Sequence, residues 1–417
     1  MVRIISALVA FMVASTSFWL VPMQKTRLEK NIDSATEERL DSGKLTGAHI
    51  YVSRNSEEIF NKTYGKKSVG GEALADNATY RIASMTKPIT AVALLIEYQR
   101  GHLDIYKNVE DYLPEFANMQ VISKTDEQGN ITETVPATEK IKVYQLVSHT
   151  SGIMCGSILD LCYAKYVTEH NEGLTMQEMV KYYSTMPLAF NPGTAQIYST
   201  AAFDVAAQIV LNVSGETDFE EYLKKNIFEP LGMVDTTFKP SPEQFERMVA
   251  PHNIDAATGM AVDAPAPADR VFGNFPVTYY AAGGGLMSTM ADYIKFAEML
   301  QNKGKAQDGT VILNEDMVEL MATPVPEMAN GIMSGDTQWG LAVKVIVKPS
   351  YKHGLPVGSF GWSGAYGTHF WIDPISKITA VYMKNSFYDG GAGAQTANEF
   401  EECVYKAMVP VFLLPII

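Results

Sequence analysis

Cysteine is scarce in this chain. Cys155, Cys162 and Cys403 are the three among 417 residues, too few for a disulfide framework and too scattered for a structural zinc site. Cys155 and Cys162 could bridge a short loop if the protein is exported; otherwise they read as two plain thiols. The seven histidines include no H-E-x-x-H arrangement, so neither metal nor cofactor is expected. Positive charge is also short: 33 basic against 47 acidic side chains give a net charge of -14. That balance repels a polyanion and excludes nucleic acid as a natural partner. Gly283-Gly284-Gly285 lacks the spacing of a dinucleotide or phosphate loop and reads as close backbone packing.

Apolar residues make up 47% of the chain, enough for one large catalytic domain or two lobes sharing a cleft. After Arg3, an uncharged run from Ile4 to Val21 predicts a signal peptide or membrane anchor over residues 1–24, with a buried N-terminal helix as the alternative. Leu28, Ile32 and Ala35 then fall on one helical stripe. Residues 48–54 and 58–65 read as an edge hairpin. A mainly helical region follows over 81–279, with helix patterns at 89–101 and in AAFDVAAQIVLNVSG, and the segment 123–138 reads as an exposed loop. Strand patterns return at 339–348, 360–374 and 377–386, the last two as a hairpin turning at Asp373-Pro374, before a terminal helix. The expectation is an α+β (α/β) protein: an antiparallel sheet built from 25–80 and 280–417, flanked by helices, with the site where sheet and helical region meet.

Ser84-Met85-Thr86-Lys87 opens the buried helical stretch. The spacing puts Lys87 one turn beyond Ser84 on nearly the same face, so the side chains can meet. A serine hydroxyl needs a base, and a lysine serves only if its surroundings favour the neutral amine. The free N–H groups of the first turn favour negative charge at the serine.

Around this motif lie LVSHTSGI (146–153, with His149), PGTAQIYST (192–200), FEPLGM (228–233), GGGLMST (283–289) and GWSGAYG (361–367). In this order and spacing the chain resembles the serine beta-lactamase and penicillin-recognising superfamily, and within it the class C beta-lactamases and family VIII carboxylesterases, from about Lys25 to Val411. The resemblance implies a beta-lactamase/transpeptidase-like fold and a serine hydrolase. It implies Ser84 as the acylated nucleophile, Lys87 and Tyr198 as its general base and acid, and the N–H groups of Ser84 and Ala365 as the oxyanion hole. It places Trp362, Ser363, Gly364, His149 and Thr200 as substrate-binding residues, with Gly364 leaving room for the acyl group.

The departures carry information. Penicillin-directed members of the superfamily show Tyr-x-Asn at the second motif and Lys or His at the start of the third; here stand Tyr198-Ser199-Thr200 and Trp362. An amide and a cation are replaced by a hydroxyl and an apolar wall, and Tyr279, Tyr280 and Trp339 could extend that wall. This favours a small-molecule ester or acyl substrate, hydrolysed or passed to an alcohol. The alternatives are a D,D-peptidase or beta-lactamase of the cell envelope, and a binding protein of the same fold without turnover. Oligomeric state is not legible.

Overall fold

The computed structural model describes residues 23–154, 175–264, 279–325, 335–349, 354–391 and 393–408. The apolar run Ile4–Val21 and the pair Cys155 and Cys162 lie outside them. Among the described residues no helix is long and apolar enough to cross a membrane.

The central layer is a seven-stranded antiparallel sheet. Helix α1 (23–41) leads into β1 (Gly47–Arg54) and β2 (Glu57–Gly65). The other five strands come from the far end of the chain: β9 (Thr337–Trp339), β10 (Lys344–Ile346), β11 (Phe360–Ser363), β12 (His369–Asp373) and β13 (Ile378–Met383). Their order is β2-β1-β13-β12-β11-β10-β9, so β1 and β13 seam the two chain ends together with His49 opposite Met383.

The pleat sorts side chains between two cores. On β1, Ala48, Ile50 and Val52 join Ile378, Ala380, Tyr382 and Trp371 beneath Leu28 and Ile32 of α1 and Phe400 and Val404 of the terminal helix. Tyr51, Val381, Met383, Phe370, Phe360 and Trp362 face the other way, into the main core. That core holds α2 (Thr86–Gln99), α3 (Met176–Ser184), α4 (Ala201–Ser214) and α5 (Met290–Gln301). Helix α6 (Gln395–Met408) covers the outer face, and a separate short hairpin pairs β6 (His252–Ile254) with β7 (Ala261–Asp263). Complete burial of each Leu or Ile on α2 contributes roughly 1.5–3 kcal/mol.

Three expectations need correction. The segment 339–348 is not one strand: Gly340 to Val343 turn back, with Ala342 at φ 64°, and β9 and β10 pair antiparallel. Likewise 360–374 is two strands, β11 and β12, joined by a turn at 364–368. The exposed loop at 123–138 is largely a hairpin, β4 (Gln120–Thr125) with β5 (Ile131–Pro136). Its turn is held by Asp126, whose carboxylate accepts the N–H groups of Gln128 and Asn130, with Gly129 at φ 86°. Such an Asx turn between β-branched runs is a hairpin signal.

Candidate active site

Strand β3 (Thr79–Arg81) pairs with β8 (Met287–Thr289), and the Ile82 N–H donates to the Leu286 carbonyl at 3.1 Å. This clamp delivers the chain into a tight turn, Ala83–Met85, that runs on into α2. Ala83 sits at φ 45°, a conformation unfavourable for a residue with a Cβ and sustained here by elements on both sides. Ser84 at the crest is partly exposed while its neighbours are buried. Its N–H falls in the first turn, where helical backbone has no partner of its own.

Lys87 follows one turn later and is fully buried. Its Nζ donates to the Gly283 carbonyl at 2.6 Å, to Ser84 Oγ at 3.2 Å and to Thr200 Oγ1 at 3.3 Å. Three donors thus meet three acceptors, the full complement of an ammonium group. The nitrogen also lies 4.6 Å from the ring centre of Tyr198 and 5.3 Å from that of Phe203, both favourable to a cation. The Gly283 carbonyl, absent from the motif reading, gets this close because the residue has no side chain. A Cβ there would stand 2.5 Å from Thr200 Cγ2 and 2.7 Å from the Thr200 carbonyl.

Tyr198 presents its ring face to Lys87, and its hydroxyl accepts the indole N–H of Trp362 at 3.1 Å. Trp362 therefore does more than line a wall. It is 5% exposed, packed against Trp339 with ring centres 4.5 Å apart, and it hands the proposed proton carrier a hydrogen-bond donor. His149, expected at the substrate, is fully buried and lies behind Tyr198, its ring 4.5 Å from those of both Tyr198 and Trp339. Burial, reinforced by the nearby Lys87 charge, holds this imidazole well below its usual pKa, so it is neutral. Nδ1 accepts the Ser199 N–H at 3.1 Å, which leaves the ring proton on Nε2, an atom with no partner among the described residues. Thr200 turns its hydroxyl to Lys87 and its methyl to Gly283. Tyr279 and Tyr280 are buried and bonded to Asp204 and Asp218, so neither extends the cleft wall.

The other edge of the cleft is the turn after β11. Ala365, expected as the second oxyanion donor, is exposed between buried neighbours in the turn that joins β11 to β12. Gly364 is also required by packing within the protein: a Cβ would stand 2.2 Å from Thr368 Oγ1 and 2.3 Å from the Ile82 carbonyl. The end of β11 and the turn that carries Ser84 are thus pressed together through this glycine. Ser363 does not face substrate. Alternation turns it away from Trp362 to the outer face, where its hydroxyl bonds His369 Nδ1 at 2.8 Å and His369 Nε2 reaches Glu401 of α6 at 3.0 Å. This Ser–His–Glu chain has the connectivity of a hydrolytic triad, yet its members are 5%, 2% and 0% exposed, and it anchors β11 instead. A buried Lys384–Asp389 pair at 2.9 Å holds the next loop. Burial opposes ionisation of Asp389, but Lys384 and its hydrogen bonds prevail and bring it down to about 2. From that loop the Gly391 N–H reaches the Gly364 carbonyl at 2.8 Å.

A serine at a helix start and a lysine one turn on, beside the end of an inner strand of an antiparallel sheet with helices on both faces, define the beta-lactamase/transpeptidase-like class of serine hydrolases. The chain belongs to the beta-lactamase family, whose model matches residues 32–402. It is similar to the esterase EstB of Burkholderia gladioli, 24% identical over 88% of this chain and 93% of that one. It is also similar to the acyltransferase calJ of Penicillium decumbens, 28% identical over 78% and 80% of the two chains. Among solved structures, EstCE1, titled a hydrolase with promiscuous acyltransferase activity, shares the fold at a TM-score of 0.73 and 19% identity, covering 91% of this chain and 99% of that one. The resemblance read from the motifs is borne out at the level of family and fold.

Proposed function

We propose that the protein cleaves small carboxylic esters through an acyl-enzyme on Ser84. The observation that carries this reading is the 3.2 Å approach of Lys87 Nζ to Ser84 Oγ at a helix start. With Lys87 as the neutral amine, it accepts the Ser84 proton while Oγ attacks the ester carbonyl carbon. The oxyanion is met by the Ser84 and Ala365 N–H groups. As the tetrahedral intermediate collapses, the departing alkoxide takes a proton from the Lys87–Tyr198 pair, and the ester's acyl group stays on Ser84. Water then attacks the acyl carbon, its proton passing to the same pair, and Ser84 recovers its proton as the carboxylic acid leaves.

An alcohol in place of water would give acyl transfer through the same intermediate, and the acyltransferase relative supports that branch. Esters are favoured over beta-lactams because Thr200 and Trp362 supply neither a side-chain amide nor a cation. A buried substrate carboxylate would go unpaired, at a cost of a few kcal/mol.

The experiment is a parallel kinetic panel of p-nitrophenyl esters, nitrocefin and D-Ala-D-Ala peptides, combined with mass spectrometry after fluorophosphonate treatment. Ester turnover well above the other two, with the added mass on the Ser84 peptide, supports the proposal. Label on another serine, or beta-lactam turnover equal to that of the best ester, overturns it. By the same proposal, export or anchoring through residues 4–21 is tested by fractionating the native host, and full-length protein in the cytoplasm would refute it.

A further inference from the structure

A carboxylate stands directly behind this site. Asp204 lies on α4 one turn beyond Thr200 and is 1% exposed. Its Oδ1 accepts the Ala282 N–H at 2.8 Å, and Oδ2 accepts the hydroxyls of Tyr279 and, at 3.2 Å, Tyr183. Ala282 is bonded at its other end too: its carbonyl accepts the Thr90 hydroxyl of α2 at 2.7 Å. The next residue, Gly283, gives its carbonyl to Lys87. One peptide thus separates a buried carboxylate from a buried amine.

We infer that Asp204 is a positioning residue for Lys87, acting through the Ala282–Gly283 peptide as the counter-charge that sets when the lysine is an amine. The inference rests on the acyl-enzyme reading above. Two buried groups of opposite charge have two net-neutral arrangements, ammonium with carboxylate and amine with carboxylic acid. The second leaves a lone pair on Nζ beside Ser84 Oγ, as nucleophile activation requires. Burial pushes the Asp204 carboxyl up to about 7, against the pull of Tyr279, the Ala282 N–H, Tyr183 and the Lys87 charge, so this carboxyl changes charge near neutral pH. The groups that face the pair come from several elements. Tyr183 comes from α3, Tyr279 from the segment before β8, and Tyr198 from the loop before α4. Ser84 comes from the turn before α2, and His149 adds no charge because it is neutral.

The test separates charge from geometry. Asp204→Asn keeps an oxygen for the Ala282 N–H and removes the charge, so ammonium Lys87 loses its partner and gives up its proton more readily. The acid limb of the kcat/KM profile should move to lower pH by about one unit, the order expected for one charge removed from a buried pair. Asp204→Ala removes the acceptor as well and should lower kcat at every pH in addition to moving the limb. The rate of Ser84 phosphonylation against pH should shift in parallel, with thermal melts confirming folded protein. Should D204N fail to fold, Tyr279→Phe withdraws one donor, makes the carboxyl easier to protonate, and should move the limb the same way by less. A folded D204N or Y279F with the wild-type limb, whether or not activity falls uniformly, overturns the assignment of Asp204 alone. Label on a serine other than Ser84 in the wild-type enzyme overturns the acyl-enzyme reading and this inference with it.

Discussion

Gly364→Ala is the sharpest geometric test of the proposed oxyanion hole. The added Cβ would meet the Ile82 carbonyl at 2.3 Å and Thr368 Oγ1 at 2.2 Å. Restoring ordinary contact requires the carbonyl to retreat by about 1 Å, and Ile82 is two residues from Ser84. The retreat therefore widens the gap between the Ser84 and Ala365 N–H groups by a similar amount. An oxyanion can then keep one short hydrogen bond and not two, and loss of one donor typically lowers kcat by about 10²–10³. KM for a neutral ester should change little, because the charge exists only in the transition state. Overpacking should also cost roughly 1–3 kcal/mol of stability, visible as a lower Tm. The double variant G364A/T368A relieves the contact with Thr368 but not the one with Ile82, so kcat should not recover. Steady-state ester hydrolysis alongside circular-dichroism melts decides the matter. A folded G364A enzyme with kcat within about threefold of wild type would remove the geometric basis of the proposed oxyanion hole.

Lys87→Ala and Tyr198→Phe should each lower kcat by about 10²-fold or more with little change in KM, and a Y198F enzyme with full kcat would reduce Tyr198 to packing. Trp362→Phe keeps an aromatic ring but deletes the donor to Tyr198. It should lower kcat by about tenfold, the worth of a typical hydrogen bond, while the order of preference among acyl chains holds; unchanged kcat would return Trp362 to a purely apolar role. Stability should fall in mild acid because of His252, which is fully buried; burial first, and then the Lys384 charge, take its pKa from 6.5 to about 4. Below pH 6.5 the unfolded chain binds this proton and the folded one resists, so up to about 3 kcal/mol of stability is lost between pH 6.5 and 4. Denaturant melts of His252→Asn should show a flatter dependence over that window, and an unchanged slope would count against the assignment.

Much of this could be read from residue order alone, because SMTK, the Tyr198 motif and GWSGAYG are local patterns whose chemistry depends on a few spacings. The seam of β1 with β13 was legible as strand patterns at both ends of the chain. What was missed depends on contacts between distant segments. Neither the Gly283 carbonyl nor Asp204 carries a signal of its own, since a backbone oxygen has no letter and one aspartate in an apolar helix has many explanations. Ser363 is different: the period-two alternation of a strand separates it from Trp362, and that rule, applied to β11, could have placed it on the outer face. The packing role of Gly364 is not legible in the sequence because its neighbour is Ile82, far away along the chain. The split of 339–348 depends on Ala342 adopting a left-handed conformation that alanine rarely signals.

The pairing of β1 with β13 also bears on the order in which the molecule can come into being. A chain made from its N-terminus delivers α1, the first hairpin and Ser84 well before Ala365 and the strands that complete the sheet. Until then the hairpin exposes an unpaired edge on β1 and an uncovered apolar face, surfaces that invite chaperones or mispairing. Pairing across so long a stretch of chain is slow. The helical region can gather Lys87, Tyr198 and Thr200 in the meantime, but on the proposed mechanism a nascent chain holding Ser84 still lacks the second donor for the oxyanion. On that mechanism acyl chemistry waits for the strands that complete the sheet, and a chain truncated before Ala365 carries the serine without the means to use it.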